Sequence, residues 1–202
     1  RGVLNDIKNN RLVSFKSFGF ESRLTLYIII GTIPVAVIGL LFHEFIEGTF
    51  TKETSTIATS LIALALILAL AEKISTFKRN ELETTWLDAL VVGIAQVIAL
   101  IPGSSRSGTT ITAGLFLGLN RETAARFSFL LSIPAIFASG FYQMYKSYGH
   151  LGGIGYMPLV ISTLVSGIVG YLSIFFLLHY LRKHSTLIFI IYRIIIGLIL
   201  WG

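Results

Sequence analysis

A chain of 202 residues with no cysteine, 54% apolar side chains and only 13% charged ones departs from an ordinary soluble domain, which carries about 25% charge. Without cysteine there are no disulfide scaffolds, thiolate metal sites or CxxC redox chemistry, and the apolar content excludes intrinsic disorder. The net charge of +6 points to nucleic acid only if the basic residues gather on a soluble face, so their positions decide the matter. The first residue is arginine, and the chain is expected to be an N-terminally incomplete piece of a longer protein.

Residues 1–23 are polar and basic and read as a cytoplasmic loop. Leu24 to Phe42 is a run of 19 uncharged residues and Thr54 to Ala71 one of 18; they predict membrane-spanning helices over 24–45 and 54–71. Phe127 to Tyr145, again 19 residues, predicts a span over 127–145, and the 28 residues from Leu151 to Leu178 predict one over 156–178. Ser185 to Gly202, interrupted only by Arg193, predicts a fifth over 185–202. Each is close to the 20 or so apolar residues that cross a hydrocarbon core. Recurrence along the whole chain rules out a cleaved signal peptide as their explanation. Pro34 and Pro134 fall inside spans, where neighbouring helices can satisfy the carbonyls a proline frees.

Between the second and third spans the pattern changes. Ala89 to Ser105 and Ser107 to Asn120 are uncharged, but Pro102, Gly103 and Arg106 break the run in its middle. Each apolar arm is about 18–20 Å long as a helix, too short to cross alone. Residues 89–120 therefore read as a re-entrant helical hairpin whose tip reaches towards the membrane centre, a backbone tolerated only where protein or a wet cavity covers it. If the hairpin returns to the side it left, Arg1, Lys8, Arg11, Lys16, Arg23, Lys73, Lys78, Arg79, Arg121, Arg126, Arg182 and Lys183 are cytoplasmic, and only Lys52 and Lys146 lie outside. That is a strong positive-inside bias. The basic charge thus reports membrane orientation, and a nucleic-acid partner is excluded. The expected architecture is an all-α integral membrane protein, a single polytopic domain of five transmembrane helices and one re-entrant hairpin.

The chemistry concentrates at the hairpin tip. Ile101-Pro-Gly-Ser-Ser-Arg-Ser-Gly-Thr-Thr-Ile111 holds five hydroxyls and one guanidinium inside an apolar region. A mid-membrane arginine costs about 2.5–3.5 kcal/mol on insertion scales and marks a functional site by default. Gly108 opens a helix whose free N–H groups and positive dipole end point at the same place. Gly103 and Gly108 let backbone approach an anion closely, and the planar fork of Arg106 suits two phosphate oxygens at once. The residues read as a phosphate site: Ser105, Arg106 and Thr110 as candidate catalytic groups, with Gly103, Ser107, Gly108 and Thr109 binding phosphate. A Walker loop does not fit, because Thr109 stands where its lysine belongs and no strand precedes it. A histidine-nucleophile lipid phosphatase does not fit either, since Thr112 occupies the place of the histidine.

Pro102-Gly-Ser-Ser-Arg-Ser-Gly-Thr-Thr110 matches the PGxSRSxxT signature, and the chain resembles the undecaprenyl-diphosphate phosphatase family, the bacitracin-resistance proteins. The likeness extends to Gly39-Leu-Leu-Phe-His43, Phe127-Ser-Phe-Leu-Leu131 with Pro134, Tyr145-Lys-Ser147 and Ile191-Tyr-Arg193. It implies a multi-pass hydrolase of the bacterial plasma membrane that converts undecaprenyl diphosphate to undecaprenyl phosphate and inorganic phosphate. That step recycles the lipid carrier for peptidoglycan and gives bacitracin resistance, at a site open to the extracytoplasmic side. By resemblance the family's functional residues fall on Ser105, Arg106 and Thr110. The family also carries a glutamate-rich motif with a serine and a histidine on a second hairpin, completing an inverted repeat. Nothing in residues 1–23 resembles it, so these 202 residues are expected to hold one half of that repeat with its flanking helices. By themselves they are expected to be catalytically inactive.

Other residues carry less. Arg193 lies about 12 Å inside the last span, as a second cation of the cavity or as a residue snorkelling to water. His43 and Glu44 sit near a span end, where a helix-end role outweighs a metal one. Glu72 is expected to cap or to pair with Lys73 or nearby basic residues. A divalent cation, magnesium or calcium, would balance two phosphates facing one arginine, although no carboxylate cluster is visible to hold it. The partners implied are a polyprenyl diphosphate lipid and the bilayer, with a homo-oligomer as a candidate assembly. A flippase or exporter of a phosphorylated polyprenyl lipid would need the same anion site without a nucleophile or base, and stands as the alternative.

The topology is directly testable. Single cysteines at Lys52 and Lys78 are expected to react with a membrane-impermeant maleimide from opposite sides of sealed vesicles; labelling from the same side would overturn the arrangement.

Overall fold

The computed structural model describes residues 19–42, 48, 53–147 and 156–201. The seven α-helices among these described residues are α1 (Phe20–Leu41), α2 (Thr54–Ile74), α3 (Trp86–Ile98), α4 (Arg106–Phe116), α5 (Arg121–Ser147), α6 (Tyr156–Leu181) and α7 (Leu187–Trp201). Strands are absent among the described residues, and one isolated bridge joins Arg79 to Leu119. The chain is an all-α membrane protein: α1, α2, α5 and α6 are each long and apolar enough to span a bilayer. The expected fifth span is shorter, since α7 has 15 described residues and is about 22 Å long. Four spans are therefore supported by length and composition among the described residues. The expected span over 24–45 ends, as described, at Leu41, and His43, Glu44 and Lys52 lie outside the described residues.

Burial follows the solvent that a membrane provides. Ile161, Leu164, Ile168, Leu172 and Phe175, all on α6, are more than half exposed, and such a surface is stable only against lipid or another apolar face. The most enclosed helix is instead α4, where every residue from Thr109 to Leu115 is buried. Two apolar clusters flank it. One joins Ala65 and Leu68 of α2, Leu115 of α4, Ala125 of α5 and Ile190 of α7; the other joins Tyr27 of α1, Val92 of α3, Ala113 of α4 and Leu131 of α5. On the second side α1 meets α3 at Gly31 and Gly93, where a Cβ on Gly93 would fall on the Gly31 backbone. Backbones this close are how apolar helices associate without a hydrophobic driving force.

Helices α3 and α4 form the hairpin, and one residue binds both its feet. Thr85 and Asp88 cap α3 reciprocally: the Thr85 N–H donates to Asp88 Oδ2 (2.7 Å) and the Asp88 N–H to Thr85 Oγ1 (3.3 Å), a capping box that fixes where the helix starts. The foot of α4 closes in a Schellman motif, with Gly118 at φ +80° and the Leu119 N–H donating to the Gly114 carbonyl (3.1 Å). Arg79 spans the two: Nη2 pairs with Asp88 Oδ2 (2.5 Å) while Nη1 donates to the Leu117 carbonyl (2.9 Å). Its backbone N–H and carbonyl bond Gly118 and Asn120. Both feet thus lie at one end of the bundle. Ion pairs tie the helix ends there, Arg121 with Glu72 (2.5 Å), Arg126 with Glu81 (2.7 Å) and Arg182 with Glu122 (2.6 Å). Glu72 also accepts from the Thr186 hydroxyl (2.9 Å), so its partners come from α5 and the approach to α7.

Asp88 gives this clasp a pH signature. Burial pushes its carboxyl upward, but the bonds from Arg79 and Thr85 outweigh that and hold it below the usual carboxylate range. A carboxylate depressed in the folded state adds stability above its unfolded pKa of about 3.9, and loses it as pH falls through the folded value. Asp88→Asn is expected to lower thermal stability in detergent at pH 7 by on the order of 2 kcal/mol, the worth of hydrogen bonds to a charged group. The gap should narrow below about pH 4. Equal midpoints at pH 7, or a gap independent of pH, would contradict the clasp.

Candidate functional site

The hairpin tip is irregular because Pro102 and two glycines interrupt the apolar run, and irregular backbone in an apolar setting must find partners for its carbonyls. It finds them on α2 and α7. Ser60 Oγ of α2 donates to the Pro102 carbonyl (2.6 Å). Gly103, at φ +87°, lies so close to Ser60 and Ile57 that a side chain would collide with both. Arg193 of α7 is 3% exposed, and its Nη2 donates to the carbonyls of Gly103 (3.0 Å) and Ser104 (3.1 Å). Its Nη1 lies against Gly108, where a Cβ would stand 2.5 Å away. Arg193 therefore sits inside the site, bonded to the tip, and does not snorkel to a surface.

These bonds present Ser105 and the start of α4. Ser105 is the N-cap residue, with φ +59° and ψ +113°, a positive φ that costs a non-glycine residue energy and clusters at functional sites. Its Oγ accepts from the Gly108 N–H (3.2 Å) and lies 3.4 Å from Ser107 Oγ. The Arg106 and Ser107 N–H groups take no partner among the described residues, which leaves donors at the positive end of the α4 dipole. Arg106 itself is half-buried, and no carboxylate or carbonyl among the described residues pairs with its guanidinium. A cavity of about 250 Å³ adjoins this face, and Ser105, Ser107, Gly108 and Arg193 line it at the tip, with Thr186 as a further polar residue of its wall.

The threonines face elsewhere. Thr109 Oγ1 donates back to the Arg106 carbonyl (2.9 Å) and Thr112 Oγ1 to that of Gly108 (2.6 Å). Thr110 is 1% exposed; its hydroxyl donates to the Arg106 carbonyl (2.8 Å) and meets Ser128 Oγ of α5 (2.6 Å). The structure brings Gly103, Ser105, Arg106, Ser107, Gly108 and Arg193 together, and sets Thr109 and Thr110 behind them as braces. Ser60 escapes a reading by motif, and Ser128, although inside the Phe127–Leu131 likeness, carries no role there. Their only signal is a hydroxyl in an apolar span, which more often bonds its own helix.

The chain matches the model of the bacitracin resistance protein BacA family over residues 4–199. It belongs to that family. Its BacA-family relatives include an undecaprenyl-diphosphatase of Syntrophobacter fumaroxidans, 50% identical over 192 residues that cover 95% of this chain and 68% of that protein. One of Chloroherpeton thalassium is 52% identical over 201 residues, covering 94% and 70%. One of Chlorobium phaeobacteroides is 47% identical over 211 residues, covering 100% and 73%.

No three carboxylate or imidazole groups converge to hold a metal ion among the described residues. The described part of this BacA-family site thus offers hydroxyls, amides and guanidinium, a set that suits an anion and not a divalent cation.

The division between the two arginines can be measured. Arg193→Met removes the donor to two carbonyls and is expected to lower the thermal midpoint in detergent clearly, because buried carbonyls lose a charged partner at about 1.5–3 kcal/mol. Arg106→Met, with no partner to lose, should leave the midpoint within about 0.5 kcal/mol. Equal losses for the two variants would show that Arg106 is structural.

Proposed function

We propose that this protein hydrolyses undecaprenyl diphosphate to undecaprenyl phosphate and inorganic phosphate in the bacterial plasma membrane, with the terminal phosphate held at the tip of the hairpin. Membership of the BacA family and relatives named undecaprenyl-diphosphatase support the reaction. The observation that carries the site is a half-buried guanidinium without a counter-ion among the described residues, beside the unpaired N–H groups of a helix start in an apolar bundle. A cation in that position is stable only if an anion arrives.

In phosphoryl transfer the protein's task is positioning and electrostatic stabilisation, because charge spreads over the equatorial oxygens of the transferring group. Arg106 would grip two of those oxygens through its fork. The Arg106 and Ser107 N–H groups would take the third from below, along the α4 axis. The Ser105 and Ser107 hydroxyls would donate to the remaining oxygens, or Ser105 would attack phosphorus once a base outside its present contacts takes its proton. Arg193 would act through the backbone, holding the Gly103 and Ser104 carbonyls so that Ser105 keeps its strained turn. Thr110 would hold α4 against α5 through Ser128. The described residues supply no ligand set for a divalent cation.

The reading sets the site nearer the extracytoplasmic face. Gly103 lies against Ile57 and Ser60, one to two turns from the Thr54 end of α2 and about 18 Å from Glu72 at the basic end. The basic end is cytoplasmic by the positive-inside rule.

Arg106→Lys in the full-length natural protein tests the assignment. Lysine keeps the charge and loses the bidentate fork, so kcat for phosphate release from a polyprenyl diphosphate should fall roughly 10²–10³-fold, the cost of one lost transition-state donor. Ser104→Ala keeps the carbonyl that Arg193 uses and should stay within a few-fold of the parent. An Arg106→Lys enzyme as fast as the parent would sink the phosphate assignment.

A further inference from the structure

Helices α6 and α7 are joined by residues 182–186 yet diverge, because α6 packs on α5 while α7 runs along α2. The cavity at the hairpin tip lies in the wedge between them. Beyond its polar lining it is walled by Leu177 and Leu181 of α6, Phe189 and Tyr192 of α7, with Leu68 and Ile111 behind. Tyr192 is 53% exposed and lines the cavity at the same time, so the wedge opens sideways to the apolar surroundings of the bundle. The cavity is thus amphipathic along one direction: hydroxyls, amides and the Arg193 guanidinium at the tip, then mainly apolar side chains towards the basic end, where the Thr186 hydroxyl is already bonded to Glu72.

The boundary between the two parts is abrupt. Ile111 follows Ser107 by four residues and Gly108 by three, so its side chain shares the helix face with the Ser107 side chain and the bare Gly108 backbone. A ligand whose hydrocarbon begins at the atom next to phosphate fits that boundary. A glycerophospholipid would press its glycerol and ester oxygens against Ile111, Leu177 and Phe189 without hydrogen-bond partners, at a cost in affinity. Isoprenoid diphosphates have the first form.

We propose that the α6–α7 wedge holds the first isoprene units of the lipid substrate, and that Leu177, Leu181, Phe189 and Tyr192 are specificity-determining residues. The inference rests on the diphosphate lying at the tip, as proposed above. Each apolar wall is one helical turn long, Leu177 to Leu181 and Phe189 to Tyr192, about 6 Å. The protein therefore reads one to two isoprene units, and the rest of the chain lies in lipid. The wedge runs from the tip towards the basic end, so a bound lipid has its headgroup away from that end and its tail pointing towards it. A lipid of the extracytoplasmic leaflet presents itself in that orientation.

The test uses the full-length natural protein in nanodiscs and diphosphates of one, two and three isoprene units, compared at equal surface concentration. For the parent, KM is expected to fall about tenfold from one unit to two and to change less than twofold from two to three. Leu177→Trp fills the wedge; it should abolish the roughly tenfold KM advantage of the two-unit over the one-unit substrate. In the unsubstituted protein, a non-hydrolysable two-unit diphosphonate with a diazirine at its tail end should crosslink to residues 177–192. A KM that falls steadily with every added unit, or crosslinks confined to the separate cleft that Thr32 and Val35 of α1 form with Pro134 and Tyr142 of α5, would overturn the wedge and leave the phosphatase reading standing. If the parent releases no phosphate from any of these substrates, the functional reading fails and the wedge proposal falls with it.

Discussion

Breaking a helix inside an apolar medium frees carbonyls that water cannot reach, and the rest of this bundle is arranged around satisfying them. Three successive carbonyls at the hairpin tip take donors from other helices: Pro102 from Ser60, Gly103 and Ser104 from Arg193. Those bonds fix α2 and α7 against the tip, and the small residues there follow from the closeness. Gly103 has no room for a side chain beside Ser60, nor Gly108 beside Arg193, nor Gly197 of α7 beside Ile62. At the other end Arg79 does the same for the two feet of the hairpin, binding the Leu117 carbonyl and the Asp88 carboxylate together. The hairpin is therefore held at tip and base by two arginines, Arg193 through its Nη2 and Arg79 through both Nη atoms.

Arg106 is the contrast. It sits on the first turn of α4 with its guanidinium unpaired among the described residues, while the tip's backbone carbonyls are already supplied by Arg193 and Ser60. The hydroxyls divide in the same way. Helical geometry turns Thr109, Thr110 and Thr112 back onto the carbonyls three and four residues earlier, whereas Ser105, ahead of the helix, has no earlier turn to bond and caps Gly108. A tip rich in hydroxyls thus separates into a scaffold of threonines and a cavity face of serines. The Ser105 and Ser107 hydroxyls and the Arg193 guanidinium then face a cavity whose other walls are mostly apolar, and Arg106 lies on the same first turn of α4, outside that lining.

Much of this is legible in the sequence. Run lengths show the long apolar helices, and the short arms around Pro102-Gly103 show the hairpin. The clustering of Ser105, Arg106, Ser107 and Gly108 in an apolar region marks the site, because polar groups there need a reason. What the sequence hides is direction and partnership. Arg193 reads equally as a cavity cation or a snorkelling one, since depth along a helix does not say which way the side chain turns; the open carbonyls of Gly103 and Ser104 decide it. Thr110 reads as a site residue by motif, while burial against Ser128 depends on how α4 meets α5. Arg79 looks like one more basic loop residue, and its role needs both feet of the hairpin brought within reach. Glu72 shows the same limit, for its partner Arg121 is distant in sequence.

We propose that the free guanidinium of Arg106 holds the diphosphate. Solid-state NMR on the full-length protein in lipid, with ¹⁵N-arginine and a non-hydrolysable polyprenyl diphosphonate, measures it through ¹⁵N–³¹P dipolar dephasing, assigned by comparison with Arg106→Lys. The expected result is a guanidinium nitrogen about 4 Å from phosphorus, as in a charge-assisted N–H···O–P bond, lost in that variant. Dephasing that survives Arg106→Lys, or none in the parent with ligand bound, would contradict it.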